Sequence, residues 1–134
     1  MILIPSGTRV NGNITTVPFS LSRDSRGLLL VLNVSAVTAT GSIFVKLQYY
    51  DEAAAAWRDL KDYTTTTPVI VGFTTRSTTG TDDLIAYPMP GPAALNANNR
   101  RFGIPVPRRL RLNATAGAVG GDDITYSVVM IPIN

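Results

Sequence analysis

Asp51, Glu52 and Asp59 bracket Trp57, and two carboxylates beside an aromatic ring are the equipment of a glycoside hydrolase. The chain holds only one Glu, however, and nothing in the spacing places two acids across a cleft. The doublets Asp82-Asp83 and Asp122-Asp123 offer hard oxygen donors for calcium. Neither shows the alternating ligand spacing of a calcium loop, and beside Thr or Gly both read as turn residues. The chain contains no His and no Cys. It therefore lacks the commonest general base, the commonest transition-metal ligand, thiolate chemistry and any disulfide framework. The spacing points to no catalytic constellation, no metal site and no cofactor.

The arginines carry a stronger signal. Arg100, Arg101, Arg108, Arg109 and Arg111 supply five of the twelve basic residues in one short stretch. Their planar forks suit bidentate contact with carboxylates or phosphates. Three readings stay open: a solvated strand face, an acidic protein partner, or nucleic acid. Single-strand binders interleave stacking aromatics with such cations, and here Phe102 stands alone. Tyr49, Tyr50, Trp57 and Tyr63 are candidates for a sugar-binding face, but adjacent strand positions send Tyr49 and Tyr50 to opposite sides, so a flat platform is not supported. The sequons at Asn13, Asn33 and Asn113 are expected by chance in a chain with sixteen Thr.

These side chains need a scaffold, and composition says which kind. The chain has 134 residues, enough for one domain with its own core, with 45% hydrophobic and only 16% charged residues. So few charges suit a surface spent on other proteins. The net charge of +3 is too mild to argue for nucleic acid by itself. The opening MILIPSGTRV is too short an apolar run for a signal-peptide core, and no window approaches the roughly 18–20 apolar residues of a membrane span. A soluble, unprocessed chain is expected.

Period-2 alternation predicts four long strands, at 28–37, 43–50, 108–114 and 124–131. Leu28, Leu30, Leu32 and Val34 share a face, yet Leu29 and Val31 make the other face apolar too, which predicts a strand covered on both sides at its start. Ile43, Val45, Leu47 and Tyr49 alternate with Phe44, Lys46, Gln48 and Tyr50. Leu110, Leu112 and Ala114 face in, with Arg109 and Arg111 out; Ile124, Tyr126, Val128 and Met130 share a face. Asp51–Ala56 is predicted to be a turn despite its alanines, followed by a short strand in which Trp57 plugs the open end of the core. Shorter strands are expected near 69–74 and 84–87. The Pro-rich stretch 88–101 cannot be a central strand. Residues 1–25, broken by Pro5, Gly7, Gly12 and Pro18, read as an extended arm with one or two short strands; residues 26–134 read as the domain. The fold class expected is all-β: an antiparallel, jelly-roll-like β-sandwich with an extended N-terminal arm.

LLLVLNVSAVTATGSIFVKLQ (Leu28 to Gln48), Trp57-Arg58-Asp59-Leu60 and IPVPRRLRL (Ile104 to Leu112) together resemble small all-β virion proteins of tailed bacteriophages. Those proteins carry an "LNVTAV…G…VKLQ…W" core and a late strand entered through Pro and Arg, and the likeness spans residues 26–133. The Pro-rich stretch and the Ala53–Ala56 run depart from that pattern. The resemblance implies a capsid decoration (cement) protein, not an enzyme, sited on the capsid surface of the virion. Its partner would be the major capsid protein, its assembly a homo-dimer or trimer, with no direct nucleic acid and no membrane. Another head–tail or fibre component and a carbohydrate-binding module are the alternatives. The expected interface is Ile2, Leu3, Ile4, Arg9 and Val10 of the arm, with Arg100, Arg101, Arg108, Arg109 and Arg111.

Overall fold

Alternating apolar positions give strands a buried face and a wet one, and here two sets of such strands close on one core. The computed structural model describes residues 1–64, 66–89, 94–117 and 120–134. Thr65, Pro90 and Pro92 of the punctuated stretches, and Ala118 and Val119 of the last turn, lie outside the described residues. In chain order the strands are β1 (Ile2–Val10), β2 (Ile14–Ser20), β3 (Gly27–Val37), β4 (Ser42–Asp51), β5 (Ala56–Asp59), β6 (Lys61–Asp62), β7 (Val69–Ile70), β8 (Gly80–Ala86), β9 (Ala94–Leu95), β10 (Asn99–Phe102), β11 (Arg109–Gly117) and β12 (Asp123–Ile133). No helix occurs among the described residues.

A six-stranded sheet runs β1-β12-β3-β8-β10-β9 and a four-stranded sheet runs β2-β11-β4-β5, with β6 and β7 forming a small ribbon. Pairing is antiparallel except between β10 and β8, which are parallel. Along β4 the far edge is shared. β5 pairs with Gln48–Asp51, while residues 71–76 bond to the first half, Phe73 N–H donating to Val45 O at 2.8 Å and Ile43 N–H to Arg76 O at 2.9 Å.

The inward positions follow the alternation. Leu28, Leu30, Leu32, Val34, Ile124, Tyr126, Val128 and Met130 of one sheet meet Ile43, Val45, Leu47, Leu110, Leu112, Ala114 and Ala116 of the other in a single buried cluster, the arrangement of a β-sandwich. Two glycines allow close approach. A Cβ on Gly27 would lie 2.2 Å from Ala86 O, and one on Gly41 2.2 Å from Asp123 O.

Two expectations are corrected. Residues 1–25 do not stand apart as an arm: β1 pairs with β12 and β2 with β11, and Leu3, Ile4 and Leu21 belong to the core. Edge strands tolerate the Pro and Gly that read as breakers, and β1 is bulged between Ile2 and Gly7. Trp57 does not plug the core; Phe73, Phe102, Val71 and Leu60 fill that half. Its register opposite Tyr50 turns it outward. The ladder of β12 runs on through Pro132, and Ile133 still pairs with Gly27 and accepts from Arg26 N–H at 2.7 Å.

Candidate functional site

The two outer faces of this sandwich differ in chemistry. On the six-stranded sheet, register sets Ile2, Val129 and Val31 in one row, running on to Asp83 and Asn99. The next row is Ile131, Leu29 and Ile85, ending at Arg101. Ile2 is 68% and Ile131 49% exposed, and the other four aliphatic side chains are half-buried. The second apolar face of β3 is real, but within this chain nothing among the described residues covers it. Six adjoining aliphatic side chains rimmed by one Asp and one Arg make an apolar patch on this outer face.

On the four-stranded sheet, Arg109 and Arg111 of β11, Lys46, Gln48 and Tyr50 of β4, and Trp57 and Asp59 of β5 point outward. They lock one another. Arg111 Nε donates to Gln48 Oε1 at 2.6 Å, Gln48 Nε2 donates to Asp59 Oδ1 at 2.8 Å, and Lys46 Nζ lies 3.0 Å from the same carboxylate. The Tyr50 and Trp57 rings meet edge to face at 5.4 Å; Arg109 sits 4.0 Å over Tyr50 and Arg111 4.8 Å over Trp57. Positions 57, 59, 61 and 63 extend this face, because Leu60 and Asp62 between them are buried. With Lys46 and Gln48 they line an open groove of about 430 Å³, to which Tyr49 and Arg58 also contribute.

Neither Asp51 nor Asp59 is poised to donate a proton near neutrality. Partial burial would raise Asp59, but hydrogen bonds from Gln48 and Lys46 outweigh it and hold the carboxyl below the usual range. Asp51 is also held low, first by the Ala54 N–H and then by Arg58. Glu52 is exposed and lies 3.6 Å from Arg109. Asp122 and Asp123 accept hydrogen bonds from Thr40 and Thr38, tying two turns together.

The structure disperses the expected interface. Leu3 and Ile4 are 6% and 1% exposed and so are core residues, a correction; Ile2 and Val10 of the same strand are exposed. Arg9 is spent on the carbonyls of Pro5, Gly7 and Tyr126, which straps the bulge. Arg100 points between the sheets, donating to Gly72 O at 2.8 Å, and burial lowers its pKa. Arg108 holds the 22–25 turn through the carbonyls of Ser22, Arg23 and Ser25. These three arginines are thus tied within the chain. Arg101 alone flanks the aliphatic rows, and Arg109 and Arg111 lie on the opposite face.

One feature escaped the sequence reading: the outer aliphatic rows had a signal, the doubly apolar start of β3, but it was attributed to cover within the chain. The groove was anticipated in part, because Tyr49, Trp57 and Tyr63 of the aromatic set line it, whereas Tyr50 packs under Arg109. No family model, curated protein or solved structure matches this chain.

Proposed function

We propose that this protein is a structural, non-enzymatic component of a phage particle, a decoration protein that clamps the outside of the capsid shell. The observation that carries the reading is the uncovered aliphatic face of the six-stranded sheet. A face of that kind gains stability when it is buried against another protein, and its apolar centre with a polar rim has the anatomy of an interface. The major capsid protein is the proposed partner, and a homo-dimer or trimer the proposed assembly. The likeness of Leu28–Gln48 and Ile104–Leu112 to small virion proteins supports the assignment.

The strand order supports a jelly-roll reading. The long strands alternate between sheets, with β1, β3, β8 and β12 in one and β2, β4 and β11 in the other. The first strand pairs with the last, as in two interlocked Greek keys. Residues 71–76 with β5 take the place of the strand beside β4.

The mechanism is mechanical. Each copy bridges neighbouring shell subunits so that pressure from packaged DNA does not part them, and many modest contacts add through the symmetry of the shell. The test compares capsids assembled with and without the chain. Particles that carry it should melt at higher temperature and show added outer density. Equal melting with no added density would exclude the role.

A further inference from the structure

The groove on the four-stranded sheet has no part in that clamp, since it lies on the face opposite the aliphatic rows. We propose that it is a binding site for a saccharide bearing carboxylate groups, a uronate-containing glycan. Its volume, about 430 Å³, falls in the range of small-ligand sites and suits one or two sugar rings.

The walls supply what such a ligand needs. Trp57 and Tyr63 line the groove, and the apolar C–H face of a pyranose packs on rings of this kind. Arg111, which does not line the groove, packs 4.8 Å from the centre of the Trp57 ring and helps hold it in place. Gln48 and Asp59 are planar groups fixed by the Arg111–Gln48–Asp59–Lys46 chain, and they present hydrogen-bonding edges to hydroxyls without having to be ordered on binding. The charge is cationic: Lys46, Arg58 and Lys61 against Asp59.

Lys46 is hydrogen-bonded to Asp59, and Lys61 acts on the same carboxylate through its charge, but two cations keep donors to spare. Arg58 meets Asp51 through Nε at 2.7 Å, which leaves its two Nη groups without a hydrogen-bond partner among the described residues. Lys61 Nζ has no such partner there either. Carboxylates on successive sugar rings would take these donors. An acidic peptide fits less well, because the lining is mostly polar and offers no apolar pocket for a side-chain anchor.

Trp57 is the only tryptophan, so its emission reports occupancy directly. The intact protein is titrated with trigalacturonate, with neutral maltotriose, with hexaglutamate and with a thymidine hexanucleotide. Trigalacturonate should shift the emission saturably, with maltotriose about tenfold weaker for want of the carboxylate contacts. Lys61→Gln, on an exposed side chain, should weaken trigalacturonate several-fold while leaving the melting temperature unchanged. No response to trigalacturonate at millimolar concentration would overturn the proposal. Equal binding of hexaglutamate or the hexanucleotide would overturn it too, by showing that charge alone is read. Unchanged affinity in Lys61→Gln would remove the site from this groove.

Discussion

Truncating Ile4 to alanine tests whether the N-terminal residues belong to the body of the protein. Ile4 is 1% exposed in a strand bonded to β12, whereas Ile2, two residues earlier, is 68% exposed. Ile→Ala in a core costs about 2–5 kcal/mol, and an edge strand can relax partway into the space, so about 3 kcal/mol is expected. Unfolding entropy near 60 °C is about 2.1 cal/mol/K per residue, which for 134 residues makes about 0.28 kcal/mol/K. The melting temperature of Ile4→Ala should therefore fall by roughly 11 °C. Ile2→Ala, which loses little burial, should stay within about 0.5 kcal/mol, or roughly 2 °C. Differential scanning calorimetry on both variants decides it. Equal, small shifts would refute the placement of β1 in the sheet. By the same reasoning, deleting residues 1–12 should destabilise the domain rather than shed a loose arm, because it bares the edge of β12 as well as removing Leu3 and Ile4.

Three further outcomes follow from buried or strained groups. Arg76 Nη1 lies 2.6 Å from Asp82, whose side chain is 3% exposed, so Arg76→Met should cost about 3–5 kcal/mol in urea unfolding by stranding a buried carboxylate. Asp59 is held below the usual carboxylate range in the folded state, so the unfolded chain takes up its proton first as pH falls. The stabilisation from Asp59 is complete above its unfolded value near 4 and is lost as pH drops through the folded one; Asp59→Asn should flatten that acid limb of the stability–pH curve. Ala55 sits at φ +52° in the turn before β5, a conformation that costs an L-residue about 1–2 kcal/mol, so Ala55→Gly should raise the melting temperature slightly despite glycine's entropy.

The four long strands were legible because each alternates for many residues, and a register error would have sent Leu28 or Leu112 into water. β1 and β2 were less legible because Pro5, Gly7 and Pro18 look like breakers in isolation. A strand that bonds on one side only accommodates them, and edge position is a tertiary property. β10 was hidden for a related reason: its parallel partner β8 is distant in pattern and lies across the Pro-rich connection. The arginine cluster dissolved because the 103–108 connection crosses from one sheet to the other, parting Arg100 and Arg101 from Arg109 and Arg111. Trp57 was misplaced because a large aromatic near a strand end suits a core plug and an outer face equally; only its register opposite Tyr50 distinguishes them.

The proposed seating of the aliphatic face of the six-stranded sheet on a capsid shell is decided by a cryo-EM map of capsids incubated with the wild-type chain, and with a folded Leu29→Glu, Ile131→Glu double variant. The wild type should appear as ordered density with β3 and β12 turned toward the shell, and the variant should leave the shell bare. Density seated on the four-stranded face, or full occupancy by the variant, would rule that seating out.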